Sequence, residues 1–117
     1  MSFVYRQELA GTLVAGSAVE LTLTFFLVFA IFALATGDSL RLGIVAGMIA
    51  TACCLFGYPL TGACMNPARW LGPTIFEAMR TTNYAWSHTV IYLAGPILGA
   101  LAGGLAAFKL LPNAEKK

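Results

Sequence analysis

The chain has 117 residues, of which 59% are hydrophobic and only 10% are charged. An ordinary soluble domain carries about 25% charged residues, and a chain this short could not hide so much apolar surface from water. The net charge of +2, with no basic run, argues against a nucleic-acid-binding protein. The composition therefore predicts an integral membrane protein with the lipid bilayer as its solvent.

Three apolar segments are predicted to cross the membrane as helices, because a span needs about 20 predominantly apolar residues. The first covers about residues 18–36, carries the single charge of Glu20 and ends at a Gly-Asp-Ser turn. The second covers about 42–60 and is uncharged, and the third covers about 87–111. The predicted fold class is an all-α membrane protein, with the whole chain forming one unit.

Small residues recur at helical spacing on two of these spans. Gly43 and Gly47 form one pair, and Gly95, Gly99 and Gly103 extend the same spacing over two steps. Such a face lets two helices approach closely in lipid, so these five glycines are predicted to be packing positions. Glycine is also common in membrane helices without a packing role, and for the single pair this alternative stays open.

The segment between the second and third spans, residues 61–79, is too polar and too rich in proline for a span. Asn66 followed by Pro67 is typical of a helix start, with asparagine as the N-cap and proline in the first turn. A helix from Ala68 to about Met79 would have roughly three turns, about half a bilayer. We therefore predict a re-entrant loop followed by a half-helix.

The polar groups of this segment indicate what it could contact. The N-terminus of the half-helix carries about half a positive charge, Asn66 presents a carboxamide and Arg69 adds a cation with several donors. These donors, with the carbonyl groups of residues 61–65, suit a neutral hydrogen-bonding permeant and repel cations. Asn-Pro-Ala alone is a common helix start, so the inference depends on its place between two spans.

These features resemble the aquaporin and glycerol-facilitator family, also called major intrinsic proteins. The resemblance covers about residues 19–111 and rests on Glu20 with LTFFLVFAIFALATGD, on TGACMNPARWLGP and on YLAGPILGALAGG. It implies a channel rather than an enzyme. Family members have six spans and two half-helices arranged as an inverted repeat, so this chain corresponds to the second half.

The resemblance also implies roles for individual residues. Asn66 would lie at the pore centre, and Arg69 would form the selectivity filter with Cys54 of the second span and Ala63 of the loop. Glu20 would be a buried carboxyl group that braces the loop, although a charge at the interfacial end of a span is the alternative. The implied pore and filter residues are Asn66, Pro67, Ala68, Arg69, Cys54 and Ala63.

Some positions depart from the family pattern. Trp70 follows the arginine, where water channels tend to have serine and glycerol facilitators aspartate. The pair Tyr92-Leu93 mixes the patterns of the two subfamilies, which leaves the choice between water and glycerol open. In the family, the first half usually carries valine at the place that corresponds to Arg69.

The preferred interpretation is a half-channel for water or glycerol-type solutes in the cell membrane. It would pair with a second copy or a different half, as part of a homo-oligomer if the halves are identical. The alternatives are a fragment of a longer channel and a small non-conducting membrane scaffold. We expect no catalytic residues, metal or cofactor, and we expect free thiols at Cys53, Cys54 and Cys64.

Overall fold

A computed structural model describes residues 13–35, 37–82, 84 and 86–111, and the elements of this part of the chain are all helical. Three of its helices are long and apolar enough to cross a membrane. The predicted fold class, an all-α membrane protein with three spans and one shorter helix between them, is confirmed. In chain order the elements are α1 (Leu13–Leu34), α2 (Ser39–Thr61), α3 (Pro67–Arg80), a 3₁₀ turn (Trp86–His88) and α4 (Thr89–Leu110).

The ends of the spans differ from the predicted limits for local reasons. Helix α1 is described from Leu13, ahead of the predicted start at residue 18, and residues 13–17 contain no proline that would interrupt a helix. Helix α2 begins at Ser39 because Asp38 caps it, accepting a hydrogen bond of 3.1 Å from the backbone N–H of Leu40. It ends where Gly62 adopts a φ of 89°. Residue 36, the predicted end of the first span, lies outside the described residues.

Helix α4 packs closely along α1 through its glycines. A Cβ added at Gly95 would lie 2.8 Å from the Cβ of Glu20, and one added at Gly103 would lie 2.6 Å from the carbonyl oxygen of Phe25. A Cβ at Gly99 would collide with the carbonyl oxygen of Leu21. The three glycines of the sequence pattern therefore lie where the two backbones approach each other.

The glycine pair of α2 lies in a different environment. Gly43 and Gly47 are exposed, and a Cβ added at either would meet no described atom within 4 Å. The described part of this chain therefore places no other helix against the pair, and their role as packing positions stays a prediction for a partner helix. Helix α2 instead meets α1 further along, where a Cβ at Gly57 would collide with the Leu23 side chain.

This contrast predicts opposite results for the same substitution at two glycines. Gly99→Ala forces a methyl group against the backbone of α1, and overpacking of this kind costs about 1–3 kcal/mol. Gly47→Ala places the methyl group in open space and should raise the chain's stability slightly, by up to about 1 kcal/mol, because alanine favours a helix more than glycine does. Thermal unfolding of purified protein in detergent should show a lower transition only for Gly99→Ala, and equal transitions would contradict this packing.

Candidate pore loop and half-helix

The loop between α2 and α3 is buried and has an unusual backbone. Residues 61–65 are all buried, with Ala63 0% and Cys64 1% exposed. Ala63 and Met65 adopt left-handed conformations with φ of 47° and 55°. Such a conformation costs a residue with a side chain roughly 1–2 kcal/mol. The loop therefore needs strong contacts from its surroundings to keep this shape.

Glu20 of α1 provides these contacts from one side. Its side chain is 0% exposed, and one carboxyl oxygen, Oε1, accepts hydrogen bonds from the Thr61 hydroxyl at 2.6 Å and the Cys64 N–H at 3.0 Å. The other, Oε2, accepts one from the Met65 N–H at 2.8 Å. Because Glu20 lies well inside α1, the alternative of a charge at an interfacial helix end does not fit this structure.

Tyr92 of α4 holds the loop from the other side. Its hydroxyl donates a hydrogen bond of 2.6 Å to the carbonyl oxygen of Thr61. Its ring stacks on Trp70 of α3, with centroids 5.6 Å apart and planes 12° apart. The Cys64 thiol, in the same buried cluster, donates to the carbonyl oxygen of Asn66 at 3.1 Å. The sequence pattern pointed to Trp70 and Tyr92 only as differences between subfamilies, and it did not predict that their rings stack.

The half-helix α3 begins where the Asn-Pro pair predicted it. The Asn66 side-chain oxygen accepts hydrogen bonds from the N–H groups of Ala68 at 2.9 Å and Arg69 at 3.4 Å, and Pro67 fills the first turn. The helix has 14 residues. It is therefore about 21 Å long, shorter than the hydrocarbon core of about 30 Å. Because the cap uses the side-chain oxygen of Asn66, the side-chain amide nitrogen of Asn66 stays available as a donor.

The residues implied as pore and filter are not all brought to one surface. Asn66, Ala68 and Arg69 are exposed, whereas Pro67 and Cys54 are half-buried. Ala63 is the exception, because the left-handed turn leaves its methyl group in a cluster with Leu23, Cys53 and Met65. The Ala63 side chain therefore lines no surface of the described chain.

The burial of residues 61–65 also affects their carbonyl groups. The sequence predicts that these carbonyls line the path of a permeant, but the Thr61 oxygen accepts a hydrogen bond from Tyr92 and the loop residues are buried. In the described chain the exposed polar groups of this region are instead the side chains of Asn66 and Arg69, at the start of α3.

One side of α3 is left uncovered by the residues that the structure describes. Its buried residues are Trp70 and Thr74, which face the rest of the chain. The uncovered side consists of large apolar side chains that are 42% to 80% exposed, namely Leu71, Ile75, Phe76 and Met79.

The chemistry of the site is that of hydrogen bonding. The described residues contain no group of three or more His, Cys, Asp or Glu side chains that could hold a metal ion. Cys53, Cys54 and Cys64 are free thiols. The donors that the site can offer to a permeant are the N-terminus of α3, the Asn66 carboxamide and the Arg69 guanidinium.

Comparison with known proteins decides the family. The sequence profile described as "Major intrinsic protein" matches residues 3–107, which is most of the chain. The chain belongs to the major intrinsic protein family. The predicted resemblance is thus confirmed, and members of this family are channels rather than enzymes. This major intrinsic protein is accordingly an integral membrane protein.

The similar proteins include aquaporins from plants and animals. The chain is 44% identical over 117 residues to Aquaporin-4 of Homo sapiens, with 92% of this chain and 33% of that protein aligned. It is 40% identical over 101 residues to Aquaporin NIP1-3 of Oryza sativa subsp. japonica, covering 83% of this chain and 33% of that protein.

The alignments cover most of this chain but less than half of each relative. A probable NIP-type aquaporin of Nicotiana alata is 36% identical over 121 residues, with 97% of this chain and 42% of that protein aligned. The major intrinsic protein described here therefore spans between 33% and 42% of the length of these three relatives. No solved structure matches the chain.

Proposed function

We propose that this chain forms one half of a transmembrane channel for water and small neutral solutes such as glycerol. The observation that carries the proposal is the loop buried between Glu20 and Tyr92, which presents Asn66 and Arg69 at the start of a half-helix. A permeant would accept hydrogen bonds from the Asn66 amide and the Arg69 guanidinium. Cations would be repelled by the guanidinium and by the positive end of α3.

Two features support a second half as the partner. Arg69 is exposed on a helix that is too short to cross the bilayer, and a charge at membrane depth costs about 2.5–3.5 kcal/mol on insertion scales. It needs a water-filled path, which a single half cannot enclose. The large apolar side chains on the uncovered side of α3 also need a protein or lipid surface against them.

The partner half is either a second copy of this chain or a different half. A second copy would give a homo-oligomer, and the cell membrane is the proposed location. The second candidate is a non-conducting fragment or small membrane scaffold that packs against other helices, since the chain aligns with 33% of the length of two aquaporins. Flux measurements distinguish the two functions.

Permeation by the reconstituted chain is the direct test. Cys54 is smaller than the histidine of many water channels, and Ala63 is buried, so we expect a filter wide enough for glycerol. Proteoliposomes should swell in response to both water and glycerol gradients and should exclude ions. Water flux with no glycerol or urea flux would contradict the wide filter. Unchanged flux in both Asn66→Asp and Arg69→Val vesicles would contradict the pore assignment.

Mercuric ion should inhibit the channel through a single thiol. Cys54 is half-buried, whereas Cys53 and Cys64 are only 7% and 1% exposed, so Cys54 is the thiol that an aqueous reagent reaches most easily. Swelling assays should show inhibition of the wild type and relief in Cys54→Ser. Inhibition that persists in Cys54→Ser and disappears in Cys64→Ser would assign the reactive thiol to the loop instead.

A further inference from the structure

Half-helix α3 is attached to the rest of the chain mainly by one large side chain. Its two buried residues, Trp70 and Thr74, lie one helical turn apart on the same side. Trp70 is 2% exposed and stacks on Tyr92 at a centroid distance of 5.6 Å. Because threonine is small, Trp70 is the one large apolar side chain of α3 that is buried in the described chain. A helix held at one such point can rotate about its axis if that contact is lost.

The stack is also connected to the loop. Tyr92 donates its hydroxyl hydrogen to the carbonyl oxygen of Thr61 at 2.6 Å, and the Thr61 hydroxyl donates to Glu20 at 2.6 Å. A continuous set of contacts therefore runs from α1 through the loop to α4 and from there to α3. Among these contacts, the Trp70 ring is the one that the half-helix α3 contributes.

Trp70 directly follows the exposed Arg69 in α3. Successive residues of an α-helix are separated by about 100° around the axis, so the direction of one fixes the direction of the next. The Trp70 N–H also makes the first hydrogen bond of the helix, to the carbonyl oxygen of Asn66 at 3.2 Å. The burial of Trp70 thus constrains the direction in which the adjacent Arg69 side chain leaves the helix.

From this geometry we propose that Trp70 is a positioning residue that sets the selectivity of the channel. Its stack on Tyr92 fixes the rotation of α3, and this rotation fixes the direction of the Arg69 guanidinium. The inference rests on the proposed channel function. It assigns a role to the position at which this chain departs from both the serine and the aspartate of its family.

The first test compares variants by the ratio of glycerol flux to water flux in proteoliposomes. Once the flux of protein-free vesicles is subtracted, this ratio does not depend on how much protein is folded or inserted, so a loss of folded protein alone would leave it unchanged. Trp70→Leu removes the aromatic face and should change the ratio by at least about twofold. A twofold change lies at the low end of the interaction energies found for residues in direct contact. Trp70→Phe keeps a stacking ring and should stay near the wild type.

Two further variants complete this test. Ile91→Val alters the same buried cluster without touching the stack, and it should leave the ratio unchanged. Tyr92→Leu removes the same stack and also the hydroxyl bond to Thr61, so it should shift the ratio at least as far as Trp70→Leu. Adding Trp70→Leu to Tyr92→Leu should shift the ratio no further, because the stack is already lost. A wild-type ratio in Trp70→Leu, or fully additive effects in the double variant, would overturn the inference.

A labelling experiment decides the inference without any flux. In a chain whose three natural cysteines are replaced, Arg69→Cys reports how accessible this position is to a membrane-impermeant maleimide. Adding Trp70→Leu should change the labelling rate, whereas adding Ile91→Val should not. An unchanged rate overturns the inference. If the wild type conducts nothing, the proposed function fails, and the labelling result still shows whether Trp70 positions α3.

Discussion

Replacing Glu20 with leucine is expected to abolish flux and to lower the thermal stability of the chain. The substitution leaves the Thr61 hydroxyl and the N–H groups of Cys64 and Met65 buried without an acceptor. Each buried donor without a partner costs about 1–3 kcal/mol, so the three together cost on the order of 5 kcal/mol. Total stabilities are commonly about 5–15 kcal/mol, so the loop should lose its shape.

Two variants control this experiment. Glu20→Gln keeps one oxygen acceptor but turns the other position into a donor, so its stability and flux should fall between those of the wild type and Glu20→Leu. Thr22→Val removes an exposed hydroxyl that bonds only within its own helix, to the Ala18 carbonyl at 2.8 Å, and should change little. Swelling assays and detergent unfolding should rank the variants in this order. Normal flux in Glu20→Leu would mean that the loop does not depend on this brace.

The spans and the half-helix could be predicted because their causes are local. A span requires only a long apolar run, and the start of α3 requires only an asparagine and a proline in succession. Both signals were present, and both elements formed within a few residues of the expected positions. The place of Glu20 required the family resemblance, because the sequence alone does not distinguish a buried carboxyl group from an interfacial one.

The contacts that depend on tertiary packing could not be predicted. The glycine spacing shows that a helix can be approached closely, but it does not show which helix approaches. For this reason Gly99 and Gly47 looked alike in sequence and differ in the structure. The left-handed conformation of Ala63 has no local signal either, because alanine disfavours it and only the surrounding hydrogen bonds hold it. The Trp70–Tyr92 stack joins residues far apart in sequence, and its one hint was a tryptophan in a polar segment.

Arg69→Val is expected to raise glycerol flux by roughly tenfold, which corresponds to about 1.4 kcal/mol off the barrier. Valine is smaller than arginine and removes the cation, so the path should widen and proton exclusion should weaken. Assembly should stay intact, because Arg69 is exposed and contributes little to the folded chain. Arg69→Lys is the matched control, since it keeps the charge while losing the planar fork of donors. Lysine should therefore retain proton exclusion, and proton leakage in Arg69→Lys equal to that in Arg69→Val would contradict an electrostatic role.

Mixing wild-type and Arg69→Val chains shows which kind of half completes the channel. In a pore made of two copies, Arg69 occurs near both mouths, and solute must pass the two arginines in series. Random pairing then gives pores with two, one or no arginine. Glycerol flux should therefore rise non-linearly as the fraction of variant chains increases. With a different partner half each pore holds one copy of this chain, so the flux rises in proportion to that fraction. Strict proportionality, with a partner that has valine at the corresponding place, would exclude the symmetric channel. The half-channel function would survive that result, because one arginine per pore still repels cations.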